Sequence, residues 1–223
     1  MDKASIQKYQ MVTRADDFGS AHLELFPKDT AAGEVVGLMR SGRLKLDGLV
    51  DSGETCNSAV EACAKAIRSS RRGLRSLLET LRKTYRAIGI DSFNLTAVHA
   101  DPQLISSSRA IAEQVEPVKE QLSLHGLPAG FKEKLTAAAA ALEEAIRNYK
   151  DAVAGRGKLT LEFHQTLDEA LALVVRLDAI VSNTIGIVPA VQLAWDAARR
   201  VERDRGRKSP EVHEDNAAAS ATA

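Results

Sequence analysis

Apolar residues recur at alternating steps of four and three along three long stretches of the chain. The first carries Val60, Ala64, Ile67, Leu74, Leu78, Leu81, Tyr85 and Ile88, interrupted only by Arg71. The second carries Leu135, Ala139, Leu142, Ile146, Tyr149 and Val153, and the third Phe163, Leu167, Ala170, Val174, Leu177 and Val181. Such spacing keeps one side of an α-helix apolar, so each stretch predicts a helix laid against others. In the third, Leu171, Leu173, Val175 and Ile180 add a second apolar set, which predicts a central, buried helix.

Punctuation sets the boundaries. Asp51 and Glu54 give an acidic start and Gly89 a stop, framing a helix over 52–88. Asp101-Pro102 predicts the next start, with Asp101 as capping carboxylate, and Gly126 its end. Pro117 inside it removes a backbone donor and predicts a kink or split. Leu127-Pro128 opens a third helix, and Gly155-Arg156-Gly157 is expected to end it. The long helices are thus expected at 52–88, 102–125, 129–154 and 158–185.

Shorter pieces flank them. Met1 to Asp17 predicts a helix stopped near Gly19, and Ser20 to Phe26 a short piece. Thr30 can cap a helix through Met39, closed by Gly42. A last helix carries Trp195 and runs from 189 to about 205. Residues 206–223 lack an apolar period and are expected to be disordered. No segment alternates long enough for a convincing strand, and no internal repeat is evident. The expected fold is all-α: an antiparallel bundle of about four long helices with short flanking helices. It is read as one domain over 1–205, with flanking pieces in 1–50 and the main bundle in 51–205.

Composition supports this reading. Hydrophobic residues make up 44% of 223, enough for a core, and aromatics only 4%, so Ala and Leu must fill it. The 30 basic and 30 acidic residues cancel, so the whole-chain field favours neither nucleic acid nor an anionic membrane. The start of the chain has no apolar core of a signal peptide, and Cys56 and Cys63, one helical stretch apart, are read as reduced thiols. The chain is therefore expected to be cytoplasmic. Ala179 to Trp195 is free of charge, yet too short and too polar for a span, so no membrane is expected as a partner.

Some residues carry a resemblance. Asp17-Phe18-Gly19 with His22 and Phe26, Leu127-Pro128 with Phe131, and Leu177-Asp178-Ala179-Ile180-Val181 with Asn183, Pro189, Trp195 and Ala198-Arg199 are similar to a group of uncharacterised bacterial helical proteins of about this length. The resemblance implies a bacterial helical domain and brings no activity, cofactor or functional residue.

The strongest candidate surface is a basic stripe. Lys65, Arg68, Arg72, Arg75, Arg82 and Arg86 fall on one side of the first long helix, beside its apolar stripe, with Glu79 among them. Arginine forks suit phosphate and carboxylate, so this side can meet nucleic acid or an acidic partner. The plainer reading is a solvated face or a seam of ion pairs. No aromatic interleaves to stack bases.

Catalytic and ligand signatures fail at named positions. No Glu precedes a His by three residues, and His164 with Asp168 has no partner motif for a metal. The Asp47–Gly53 stretch resembles a calcium loop but has Ser58 at the twelfth position. Gly155-Arg156-Gly157-Lys158 is flanked by Ala152 and Leu159 where a phosphate loop needs Gly and Ser or Thr. Cys56 and Cys63 read as structural. The 90–101 connection, with Asp91, Phe93, Asn94, His99 and Asp101, is the loop that invites a functional reading, although packing explains it as well.

The expectation is a non-enzymatic structural or protein-interaction role, through a protein partner or self-association, with no cofactor and no catalytic or metal residue. Nucleic-acid binding by the 65–86 face is one alternative. A metal or small ligand inside the bundle is another.

Overall fold

A computed structural model of the chain describes residues 2–89, 100–184 and 188–201. Among them the fold is all-α, without strands: α1 (Lys3–Ala21), α2 (Ala31–Ile88), α3 (Asp101–Val115), α4 (Lys119–Leu124), α5 (Phe131–Thr184) and α6 (Pro189–Ala198). The predicted 206–223 tail and most of the 90–101 connection lie outside the described residues.

The largest departure from the sequence reading is continuity. The helix capped by Thr30 and the helix expected at 52–88 are one helix of 58 residues. Thr30 does cap it, its hydroxyl accepting from the Gly33 amide at 3.1 Å. Gly42 does not close it. Met39 and Leu46, one heptad apart across Gly42, are both fully buried, so the apolar stripe continues through the glycine. Likewise α5 runs through Gly155-Arg156-Gly157 as a single helix of 54 residues. A glycine in a helix costs only about 1 kcal/mol relative to Ala, which the flanking buried residues offset. It ends a helix when it turns left-handed. Among the described glycines, only Gly89 at φ 80° and Gly126 at φ 86° do so, and both are stops as predicted.

Smaller corrections have equally local causes. α1 passes Gly19, whose missing Cβ makes room for Val36: an added methyl would sit 2.9 Å from a Val36 γ-carbon. The helix expected at 102–125 splits at Pro117 as that residue predicts, into α3, a 3₁₀ turn over Glu116–Val118, and α4. Asp101 is not the cap of α3; Ala100 holds that position and Asp101 lies in the first turn. α6 ends at Ala198, short of the expected 205, and beyond it the Arg200 carbonyl accepts from Arg14 Nη2 at 2.6 Å.

The described residues group into two compact units. The first comprises residues 1–45 and 166–223, with α1, the beginning of α2, the end of α5 and α6. Its core holds Val12, Phe18, Phe26, Val35, Met39, Leu167, Leu177 and Trp195. The Phe18 ring lies 5.1 Å from Trp195 and 6.2 Å from Phe26. The end of α5 is not buried all round. Phe163 through Val181 form its buried stripe, whereas Val175 is 70% exposed and Leu171, Leu173 and Ile180 are half-buried.

The second unit comprises residues 46–165, with the rest of α2 and α5 and all of α3 and α4. Its core joins Leu74, Leu78, Leu81 and Tyr85 of α2 to Leu104, Ile105, Ile111 and Val115 of α3 and to Phe131, Leu135, Ala139 and Leu142 of α5. The two long stretches run antiparallel: the Cys56 thiol, early in this unit's part of α2, donates to the Ala152 carbonyl late in its part of α5 at 3.7 Å, while Leu74–Tyr85 meet the start of α5.

Candidate functional site

The second half of α2 is fixed from its inner side. Leu74, Leu78, Leu81 and Tyr85 are buried, and at 100° per residue they hold the helix in one rotational setting. Burial also raises the Tyr85 hydroxyl above its ordinary pKa, so it stays neutral beneath the helix. The side of α2 next to this stripe therefore has a defined direction. Lys65, Arg68, Arg72, Arg75 and Arg86 are exposed on it, with Arg82 half-exposed at its edge. The six predicted residues do share one face, an arc of about 100°.

The pairings of Lys65 and Arg82 are local and weak. Lys65 meets Glu61 at 3.1 Å and Arg82 meets Glu79 at 3.6 Å, both within the helix and both largely in solvent. Arg68 Nε donates to the Ala64 carbonyl at 3.3 Å. Among the described residues, Arg72 and Arg86 have no carboxylate partner. A surface cleft of about 270 Å³ is lined by Arg68, Arg71, Arg72 and Arg75. Neighbouring guanidinium groups on two turns can together hold a carboxylate or phosphate that no single one would hold firmly, the Arg71 group being already bound to Asp101.

Arg71 is the member that spacing assigned to the apolar stripe. It sits at the stripe's edge and reaches α3, its Nε and Nη2 donating to the two Asp101 carboxylate oxygens at 2.6 and 2.5 Å. That hydrogen bond raises the Arg71 pKa further. The Asp101 side chain is only 18% exposed, so the pair is better shielded than those on the outer face. It explains both oddities of the sequence: a charge in the stripe, and an Asp at a helix start that does not cap. Farther along the unit, Arg109 pairs with Glu143 at 2.5 Å, and Lys132 bridges Glu113 and Glu116 at 3.5 and 3.2 Å. The Lys132 contact holds the Glu116 carboxyl below the usual range.

The remaining candidates fall apart or become structural. Asp47–Gly53 and Gly155–Lys158 lie inside helices and form no ligand loop. Among the described residues no three His, Cys, Asp or Glu side chains converge as metal ligands, and His164 with Asp168 gains no third. Both thiols are free and half-buried. Of the connection at 90–101, Asp101 is the Arg71 partner; Asp91, Phe93, Asn94 and His99 lie outside the described residues.

The residues behind the resemblance fall in both units: Leu127, Pro128 and Phe131 in the second, the others described in the first. Trp195 is fully buried and its indole N–H donates to Asp178 at 2.8 Å; Arg199 reaches the other Asp178 oxygen at 3.3 Å. Phe18 lies 4.7 Å from the His22 ring. Nearby, Arg43 joins the buried Asp16 at 2.9 Å and the exposed Asp17 at 2.7 Å, and the Asp16 bond raises its pKa. Sequence reading missed this pair, since neither helical periodicity nor a motif links positions so far apart. These contacts tie helices together. Among the described residues no helix is long and apolar enough to cross a membrane. No family model, no curated protein and no solved structure matches the chain.

Proposed function

We propose that this chain is a non-enzymatic structural or interaction protein that meets its partner, a second copy of itself, through the exposed side of α2. The observation that supports this reading is a helix presenting six basic side chains along one side of its buried apolar stripe, where Lys65 and Arg82 have only exposed pairings within the helix. A surface of this kind recognises charge and shape and performs no chemistry of its own. Size-exclusion chromatography with light scattering at micromolar protein and low salt is the test. The expected mass exceeds the 24.0 kDa of one chain and falls on dilution. A monomer mass at every concentration defeats the proposal.

The cleft between Arg68, Arg71, Arg72 and Arg75 favours a second reading, in which the same side binds a nucleic-acid backbone. A gel shift that weakens with added salt, and that Arg68→Glu, Arg72→Glu and Arg75→Glu together abolish, supports it. Absence of any shift at low salt ends it.

A further inference from the structure

The outer face of α2 is not uniformly basic. Upstream of Lys65, the same side carries Asp51, Glu54 and Glu61, all exposed. At 100° per residue, Asp51, Glu54 and Glu61 fall in one arc of about 120° with Lys65, Arg68, Arg72 and Arg75. Between positions 51 and 75 this face is thus divided along its length into an acidic half and a basic half. Between the charges stand short, exposed side chains: Ser58, Ala62, Ser69 and Ser76. Nothing bulky on this face would hold a second helix away.

A stripe divided in this way is complementary to its own reverse. We infer that two copies of the chain pair through this face, with their α2 helices antiparallel about a twofold axis at the level of Cys63. This deepens the self-association reading above and rests on it. The register follows from the sequence. With the axis at Cys63, Glu61 of each copy faces Lys65 of the other, Glu54 faces Arg72, and Asp51 faces Arg75. Ser58 comes opposite Arg68, and no like charges meet between positions 51 and 75. Any parallel alignment in register sets acid against acid and base against base. A twofold pairing also uses each contact twice, as a closed isologous interface does.

A second copy fits this face better than nucleic acid does. A nucleic-acid backbone would leave Asp51, Glu54 and Glu61 either unmatched or repelled, whereas a second copy satisfies both halves. The contacts are exposed ion pairs, so the association is weak and steeply dependent on salt.

Charge reversal tests the register. One variant carries Asp51→Lys and Glu54→Lys, the other Arg72→Glu and Arg75→Glu; circular dichroism and the thermal midpoint of each confirm that the helices are kept. In sedimentation equilibrium at low salt, each variant alone is expected to self-associate at least tenfold more weakly than the wild type. An equimolar mixture is expected to recover a heterodimer of wild-type affinity, because the reversed positions then face one another. A mixture that stays monomeric while the wild type dimerises overturns the pairing. If the wild type and both variants dimerise alike, the pairing through this face is overturned and self-association itself stands. A wild type that is monomeric throughout overturns both, and its binding to duplex DNA would then give the basic half to nucleic acid.

Discussion

Arg71 shows how much a single side chain can say about a fold. It breaks an otherwise apolar stripe, and in the folded chain it is the residue that ties α2 to the first turn of α3 through Asp101. Asp101 also places a negative charge where the amide groups of a helix start favour one. The variant Asp101→Asn removes the charge from both interactions while keeping the shape. It is expected to lower stability by about 1–2 kcal/mol, read by urea denaturation, the range of a charge-assisted hydrogen bond at a partly shielded site. An unchanged midpoint would make the pair ornamental. The anomaly at Arg71 was legible in the sequence, and so were the six basic positions of one face. Their partners were not: periodicity relates residues within a helix, and Asp101 lies thirty residues further along. The buried Asp16–Arg43 pair was invisible for the same reason.

At the scale of elements, the apolar stripes foretold which side of each helix is buried, almost residue by residue. Where helices stop was less legible. Gly89 and Gly126 end helices; Gly19, Gly42, Gly155 and Gly157 do not. The same letter serves both purposes, and the difference lies in whether the glycine turns left-handed, as Gly89 and Gly126 do, or keeps the helical backbone. Around Gly42 the helix is buried on both sides, at Met39 and Leu46. Gly157 gives a direct check, for it is exposed and a Cβ there would meet nothing within 4 Å. In a continuous helix, Gly157→Ala is expected to raise stability by about 0.5–1 kcal/mol. Were the chain to turn at this point, the substitution would be neutral or harmful, and the thermal midpoint separates the two outcomes.

At the scale of the whole molecule, α2 and α5 each contribute to both compact units; the second unit is one continuous stretch of sequence, and the first is assembled from the stretches on either side of it. Trp195, the one tryptophan, lies in the core of the first unit and reports its unfolding by fluorescence, while circular dichroism reports helices of both. The zero net charge is informative at this scale as well. It conceals a helix on which the two signs are set apart, so that a chain without an overall field still carries a strong local one. The central claim is that this charged side of α2 is where the molecule meets a second copy of itself. The most direct measurement is the weight-average mass by sedimentation equilibrium at fixed protein concentration, from about 20 mM to about 500 mM salt, over which the screening length shortens severalfold. The account predicts a mass well above 24.0 kDa at low salt that returns to the monomer as salt rises. A mass that stays at the monomer value throughout, or an oligomer indifferent to salt, would contradict it.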